Sequence, residues 1–238
     1  MTPTTGSLPL VQRLPYIEAR CRGQRVLHLG CTNWPYMEPM LSDGTLLHLR
    51  LGAEARTLWG LDADQEGLDA LAARGVPNLV RGDLERLDAV DIPETFDVII
   101  AGEIIEHLSN PGLFLRGIQR FMSADTRLVL TTINAYGAAR IGRYFLAGRG
   151  GRQEPVHPDH VAYYSYSTLG RLLDRHGLDV ASVSFYDIGL EHRPYAPWHF
   201  KWMNDLSVWL WPQAADGLIV ECTRRPPAAA PAAASTSA

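Results

Sequence analysis

From Arg25 onward, short β-branched or leucine-rich runs alternate with longer stretches in which apolar residues return every three or four positions. The short runs, at residues 25–29, 57–61, 79–81, 97–101 and 128–132, predict strands. The stretches 41–54, 65–74 and 111–122 predict the helices between them, with Pro111 after Ser109 and Asn110 in the first turn of the third. This rhythm is the sequence form of a parallel sheet covered by helices on both faces. It changes after Thr132. A polar stretch bearing glycine and arginine, 134–159, carries no clear strand, with some helix expected around 137–147; a helix at 167–176 then ends on Gly177. Two more strands, 181–187 and 217–223, flank a Trp- and Pro-rich segment. A connection without a crossover makes the last strand antiparallel. The predicted fold is α/β: a Rossmann-like mixed sheet of seven strands with helices on both faces.

Length sets the domain plan. At 238 residues the chain holds one α/β domain, over 25–225, preceded by a helical extension, 1–24, and followed by a disordered Pro/Ala tail, 226–238. A net charge of −4 gives no electrostatic reason to expect nucleic acid as partner. The three cysteines, Cys21, Cys31 and Cys222, form no CxxC pair and fit a reducing cytoplasm; no stretch has the ~20 apolar residues of a membrane span.

In an open α/β sheet, ligands bind beyond the carboxyl ends of the strands, where strand order reverses. Gly30 ends the first strand there, in "RVLHLGCTNW", and lets the backbone approach a ligand. Asp62 ends the second strand, where a carboxylate can accept from both hydroxyls of a ribose. Asp83 ends the third, placed for an adenine amino group while the next amide, that of Leu84, reaches a ring nitrogen. The spacing suits a nucleoside better than a pyrophosphate, because Trp34 and Pro35 occupy the place of a glycine-rich helix start.

Five segments in order, "VLHLGC" (26–31), "GLDAD" (60–64), "RGDLE" (81–85), "FDVIIAGEIIEHLSNPGLFL" (96–115) and "RLVLTTIN" (127–134), resemble a class I S-adenosylmethionine-dependent methyltransferase of the small-molecule or glycan type. The resemblance implies S-adenosylmethionine as cofactor, bound by Gly30, Cys31, Asp62, Ala63, Asp83, Leu84, Gly102 and Glu103. The chain departs from the family at His28, which replaces an aspartate, and at Thr32 and Trp34, which replace glycines. A stiffer, bulkier loop is expected.

"GEIIEHL" puts Glu103, Glu106 and His107 beyond the fourth strand, and "VHPDHVAYY" supplies His157, Asp159 and His160. His107 or His160 could act as the base that deprotonates a hydroxyl acceptor. Alternatively Glu103, Glu106, His107 and His160 converge on a divalent cation, a pattern similar to small-RNA 2′-O-methyltransferases; this is the less favoured reading, and the metal ligands stay unassigned. Glu106 could equally do no more than stitch the turn. The acceptor expected is a small molecule or saccharide unit, methylated at oxygen. The rivals are metal-assisted RNA 2′-O-methylation, marked by a basic face of Arg140, Arg143, Arg149 and Arg152, and a cofactor-binding but inactive partner subunit.

The segment 194–212 concentrates Trp198, Trp202, Trp209 and Trp211, beside His192 and Arg193. It could cover the acceptor, stack on a ring, bury against a second copy in a homodimer, or pack into the core. An interfacial membrane helix would want a basic face, which this segment lacks.

Overall fold

The computed structural model describes residues 8–147, 157–187, 193 and 198–226. The expected tail from 227 onward therefore lies outside the described residues, as do Arg149, Arg152 and His192. Eight strands form one sheet: β1 (Leu10–Val11), β2 (Arg25–Leu29), β3 (Thr57–Asp62), β4 (Leu79–Arg81), β5 (Phe96–Gly102), β6 (Met122–Ile133), β7 (Leu178–Tyr186) and β8 (Gly217–Arg224). Their spatial order is β1-β7-β8-β6-β5-β2-β3-β4, with β8 antiparallel to both neighbours and the other pairings parallel. The antiparallel last strand is as predicted. The eighth strand is β1, two residues that extend the edge beside β7, too short to show any alternation.

The helices are α1 (Arg13–Cys21), α2 (Met37–Ser42), α3 (Leu47–Glu54), α4 (Gln65–Ala73), α5 (Pro111–Gly117), α6 (Ala138–Ala147), α7 (Tyr166–Arg175) and α8 (Trp198–Leu210). Two differ from expectation. The helix expected over 41–54 is broken, because Gly44 takes φ +65° and the chain turns back so that Thr45 N donates to Met40 O. The helix expected over 111–122 closes as a 3₁₀ turn at 118–121, and Met122 already starts β6.

Alternation along the central strands fills both faces. Leu27, Leu29, Ile99, Ala101, Leu128 and Leu130 pack with Phe114, Leu115, Leu169 and Leu173 of α5 and α7. Val26, Val98, Ile100 and Val129 pack with Ile17, Cys21 and Leu51 of α1 and α3. His28 shares that second face, where it stacks on buried His48 of α3 with the two Nδ1 atoms 3.2 Å apart. Burial first, then the neighbouring imidazole, pushes His28 well below the usual histidine range. On β8, buried Glu221 accepts from Arg20 and Tyr16, which docks α1 on the sheet.

The chain reaches β4 by stepping outward from β2, then crosses back to β5 on the other side of β2. The crevice of an open α/β sheet lies at such a reversal, beyond the tip of β2.

Candidate active site

Three successive strand tips carry the predicted nucleoside residues. Gly30 follows β2 with φ +68°, and a Cβ there would come within 3.2 Å of Ile104. Asp62 ends β3, and Asp83 follows β4 as the exposed N-cap of a 3₁₀ turn, accepting from Glu85 N at 2.8 Å. The register of β3 with β4 sets Asp62 opposite Arg81, two residues before Asp83. Ala63 is exposed and Leu84 half-buried beside them, whereas the Cys31 side chain is buried.

The irregular loop has its own solution. Thr32, where a family glycine would stand, is fully buried; its amide and its hydroxyl each donate to Asp62 Oδ2 at 2.9 Å. Asp62 Oδ1 accepts from Asp64 N. A carboxylate has about four acceptor sites, so Asp62 retains capacity for a ligand. The left-handed turn falls to Asn33, at φ +55°, a residue type that tolerates it. Trp34 points outward, 68% exposed, so the bulk of the loop is carried away from the strand tip. Gly67 makes room, because a Cβ on it would come within 2.7 Å of Thr32. The Thr32–Asp62 pairing was absent from the sequence reading; the signal lay in a hydroxyl residue one position after a strand-end Gly-Cys.

Glu103 follows β5 at φ +53°. Its amide donates to Thr131 O, and its Oε1 accepts from Thr131 Oγ1 and from the buried Tyr186 hydroxyl. Glu103 is therefore tied to the tips of β6 and β7, a role for Thr131 and Tyr186 that the sequence did not reveal. The other members of the acidic-histidine group do meet. One ligand atom from each of Glu106, His107 and His160 lies within 4.8 Å of the others. The backbone brings them together: Val161 N and Ala162 N both donate to Glu106 O, stitching the segment after β6 onto the turn after β5.

The protonation states follow from the surroundings. His107 Nδ1 lies 3.1 Å from Asp159 O, a carbonyl that can only accept, so Nδ1 is the donor in this pair and Nε2 is left out of it. Burial, then His107 and His157, push His160 down to about 4, so it is neutral at pH 7. Glu106 is fully buried with both oxygens unpaired; burial, then Glu103, push it up to about 8. His157 completes the group, its ring 4.7 Å from that of His160. Buried, unpaired polar atoms of this kind are costly unless a ligand or a reaction uses them.

A family model described as a methyltransferase domain matches residues 9–183. The chain belongs to that family. The methyltransferase is 26% identical over 209 residues to a "Ubiquinone biosynthesis O-methyltransferase" of Pseudomonas aeruginosa, covering 82% of this chain and 81% of the relative. It is 25% identical over 206 residues to the protein of that name in Pseudomonas syringae pv. tomato, with coverage of 82% and 81%. Among solved structures, an S-adenosylmethionine-dependent methyltransferase of Mesorhizobium loti matches with TM-score 0.55 and 17% identity, over 88% of this chain and 96% of that one. The magnesium protoporphyrin IX methyltransferase of Synechocystis with bound S-adenosylhomocysteine matches with TM-score 0.53 and 14% identity, over 89% and 81%. These structural likenesses show the fold. With the family match, they make the methyltransferase a class I S-adenosylmethionine-dependent enzyme. No described helix is long and apolar enough to cross a membrane.

Proposed function

We propose that the enzyme methylates an oxygen of a small-molecule or saccharide acceptor, with His107 as the base. The observation that carries this reading is the Nδ1–Asp159 pairing, which leaves Nε2 of His107 unused by that contact, in a ring that meets Glu106 and His160. Asp62 grips the ribose hydroxyls; Asp83 and the Leu84 amide read the adenine; Gly30, Cys31 and Ala63 give backbone approach; Gly102 and Glu103 line the sulfonium side. The cofactor supplies an electrophilic methyl on sulfur. His107 would take the proton of the acceptor hydroxyl, and the cofactor held by Gly30, Asp62 and Asp83 would supply the methyl group for that oxygen. Glu106 and His160 border the imidazolium that results.

The acceptor body fits a cavity of about 380 Å³ at the carboxyl end of β6, lined by Tyr136, Tyr166, Phe185 and Pro212 with Asn134 and Ser165. Ser165 ends the segment that carries His160. The lining favours a ring-bearing acceptor with few charges. A comparable cavity at the opposite end of the sheet, around Arg20, Asp97 and Arg127, is remote from these residues. The names of the curated relatives support oxygen as the methylated atom.

The test is a screen of hydroxylated acceptors with labelled cofactor, followed by His107→Ala. Turnover should fall about 10²–10⁴-fold, with S-adenosylhomocysteine binding kept; a His107→Ala enzyme with unchanged turnover would remove the base. A second reading has its own observation, the convergence of Glu106, His107 and His160 with the Glu106 oxygens and His160 Nδ1 unpaired. A divalent cation held there would bind and acidify the acceptor hydroxyl. Activity that survives chelators rejects the cation, and activity restored by added metal rejects the base-only site. RNA as acceptor gains little support, since Arg140 is tied to Asp216 at 3.5 Å.

A further inference from the structure

The connection between β7 and β8 ends in α8, whose two faces differ. Asn204 and Val208 are buried, and Met203 meets α6, where a Cβ on Gly142 would stand 3.3 Å from its methyl carbon. On the opposite face, at helical spacing, Trp202, Leu206 and Trp209 are in solvent, the two tryptophans 65% and 78% exposed. Leu210 and Trp211 continue that surface. From α6, Ile141, Phe145 and Leu146 are exposed as well, Phe145 by 76%. Two helices packed on each other thus hold out aromatic and aliphatic side chains to solvent, the composition of a contact surface.

We propose that this α6–α8 face is a membrane-surface site, lying in the headgroup region of an anionic bilayer. The charges select the occupant. Asp205 is paired with Arg193 through a double contact at 2.8 and 2.6 Å and Asp216 with Arg140, while Asp187 lies beside the buried Asn204, whose Nδ2 donates to it at 2.7 Å. Arg143 and Lys201 have no acidic partner among the described residues. The patch therefore keeps a cationic rim on a chain of net charge −4. The basic component that the Trp-rich segment lacks comes from a different element, α6. Tryptophan favours the headgroup level, where its ring is in apolar surroundings and its N–H in polar ones. With no described helix able to span, the face lies on the bilayer and does not cross it. A second copy is the poorer occupant, because a twofold contact would press the same uncompensated cations together. The proposal is independent of which atom the enzyme methylates.

The full chain is sedimented with vesicles of phosphatidylcholine alone and of phosphatidylcholine with phosphatidylglycerol. Binding to the mixed vesicles is expected, with a blue shift of tryptophan emission and weakening by salt. The double variant Trp202→Ser/Trp209→Ser should partition at least tenfold less, while still binding S-adenosylhomocysteine as the parent does. Arg143→Glu/Lys201→Glu should also bind less. A full chain left in the supernatant with both vesicle types overturns the proposal. So does equal binding to neutral and anionic vesicles, or a dimer in solution that Trp202→Ser/Trp209→Ser dissociates.

Discussion

Glu106 is the residue at which stability and function pull apart. A buried carboxylate resists ionisation, and its acidity is displaced up to about 8 from an ordinary value of 4.5, by burial and then by Glu103. The folded state therefore holds this proton more tightly than the unfolded chain. The associated stability is complete below about pH 4.5 and is lost as pH rises through about 8. Glu106→Gln removes the titration. Urea unfolding at pH 5 and pH 9 should show the parent losing stability, on the order of 2 kcal/mol, where the variant does not. The His28–His48 pair runs the other way. Burial lowers both imidazoles, His48 to about 4 from 6.5, so the unfolded chain takes protons that the folded one refuses. Stability is held above pH 6.5 and lost as pH falls toward 4, and His28→Leu should flatten that acid limb in the same unfolding series.

At the level of elements, the strand tips were legible because each combined an apolar run with a Gly or Asp stop. The alternating faces of β2 and β5 and the Pro111 start of α5 were written in the same local code. The break between α2 and α3 was not, since the apolar spacing of Leu41, Leu46 and Leu47 continues across Gly44. Nor was the anchoring of Glu103, which depends on residues 28 and 83 positions away, Thr131 and Tyr186. That contact depends in turn on Gly217, where a Cβ would stand 1.9 Å from the Tyr186 ring. Gly217→Ala should therefore displace the tyrosine from Glu103. A loss of stability of about 1–3 kcal/mol is expected, with a larger fall in kcat than in cofactor affinity. Tyr186→Phe, which keeps the ring and removes the hydroxyl, should reproduce the kinetic effect with a smaller loss of stability.

For the whole molecule, the sheet order sets the division of labour. The reversal at β2 gathers Gly30, Asp62 and Asp83 on one side, and the antiparallel return of β8 closes the other side around Tyr186 and the cavity beside Asn134 and Phe185. The candidate base sits between them, on the turn after β5. The meeting of His107 with His160 was suggested by two motifs far apart in the chain, and the backbone bonds from Val161 and Ala162 to Glu106 supply its physical cause. The cofactor assignment to these particular strand tips is the claim on which the remaining chemistry rests. It is tested most directly by calorimetric titration of S-adenosylhomocysteine into the parent chain, Asp62→Ala and Asp83→Ala. Saturable one-to-one binding by the parent is predicted, weakened at least tenfold by Asp62→Ala, about 1.4 kcal/mol or more, and weakened also by Asp83→Ala. Equal affinity in all three proteins, or no heat from the parent at millimolar ligand, would contradict it.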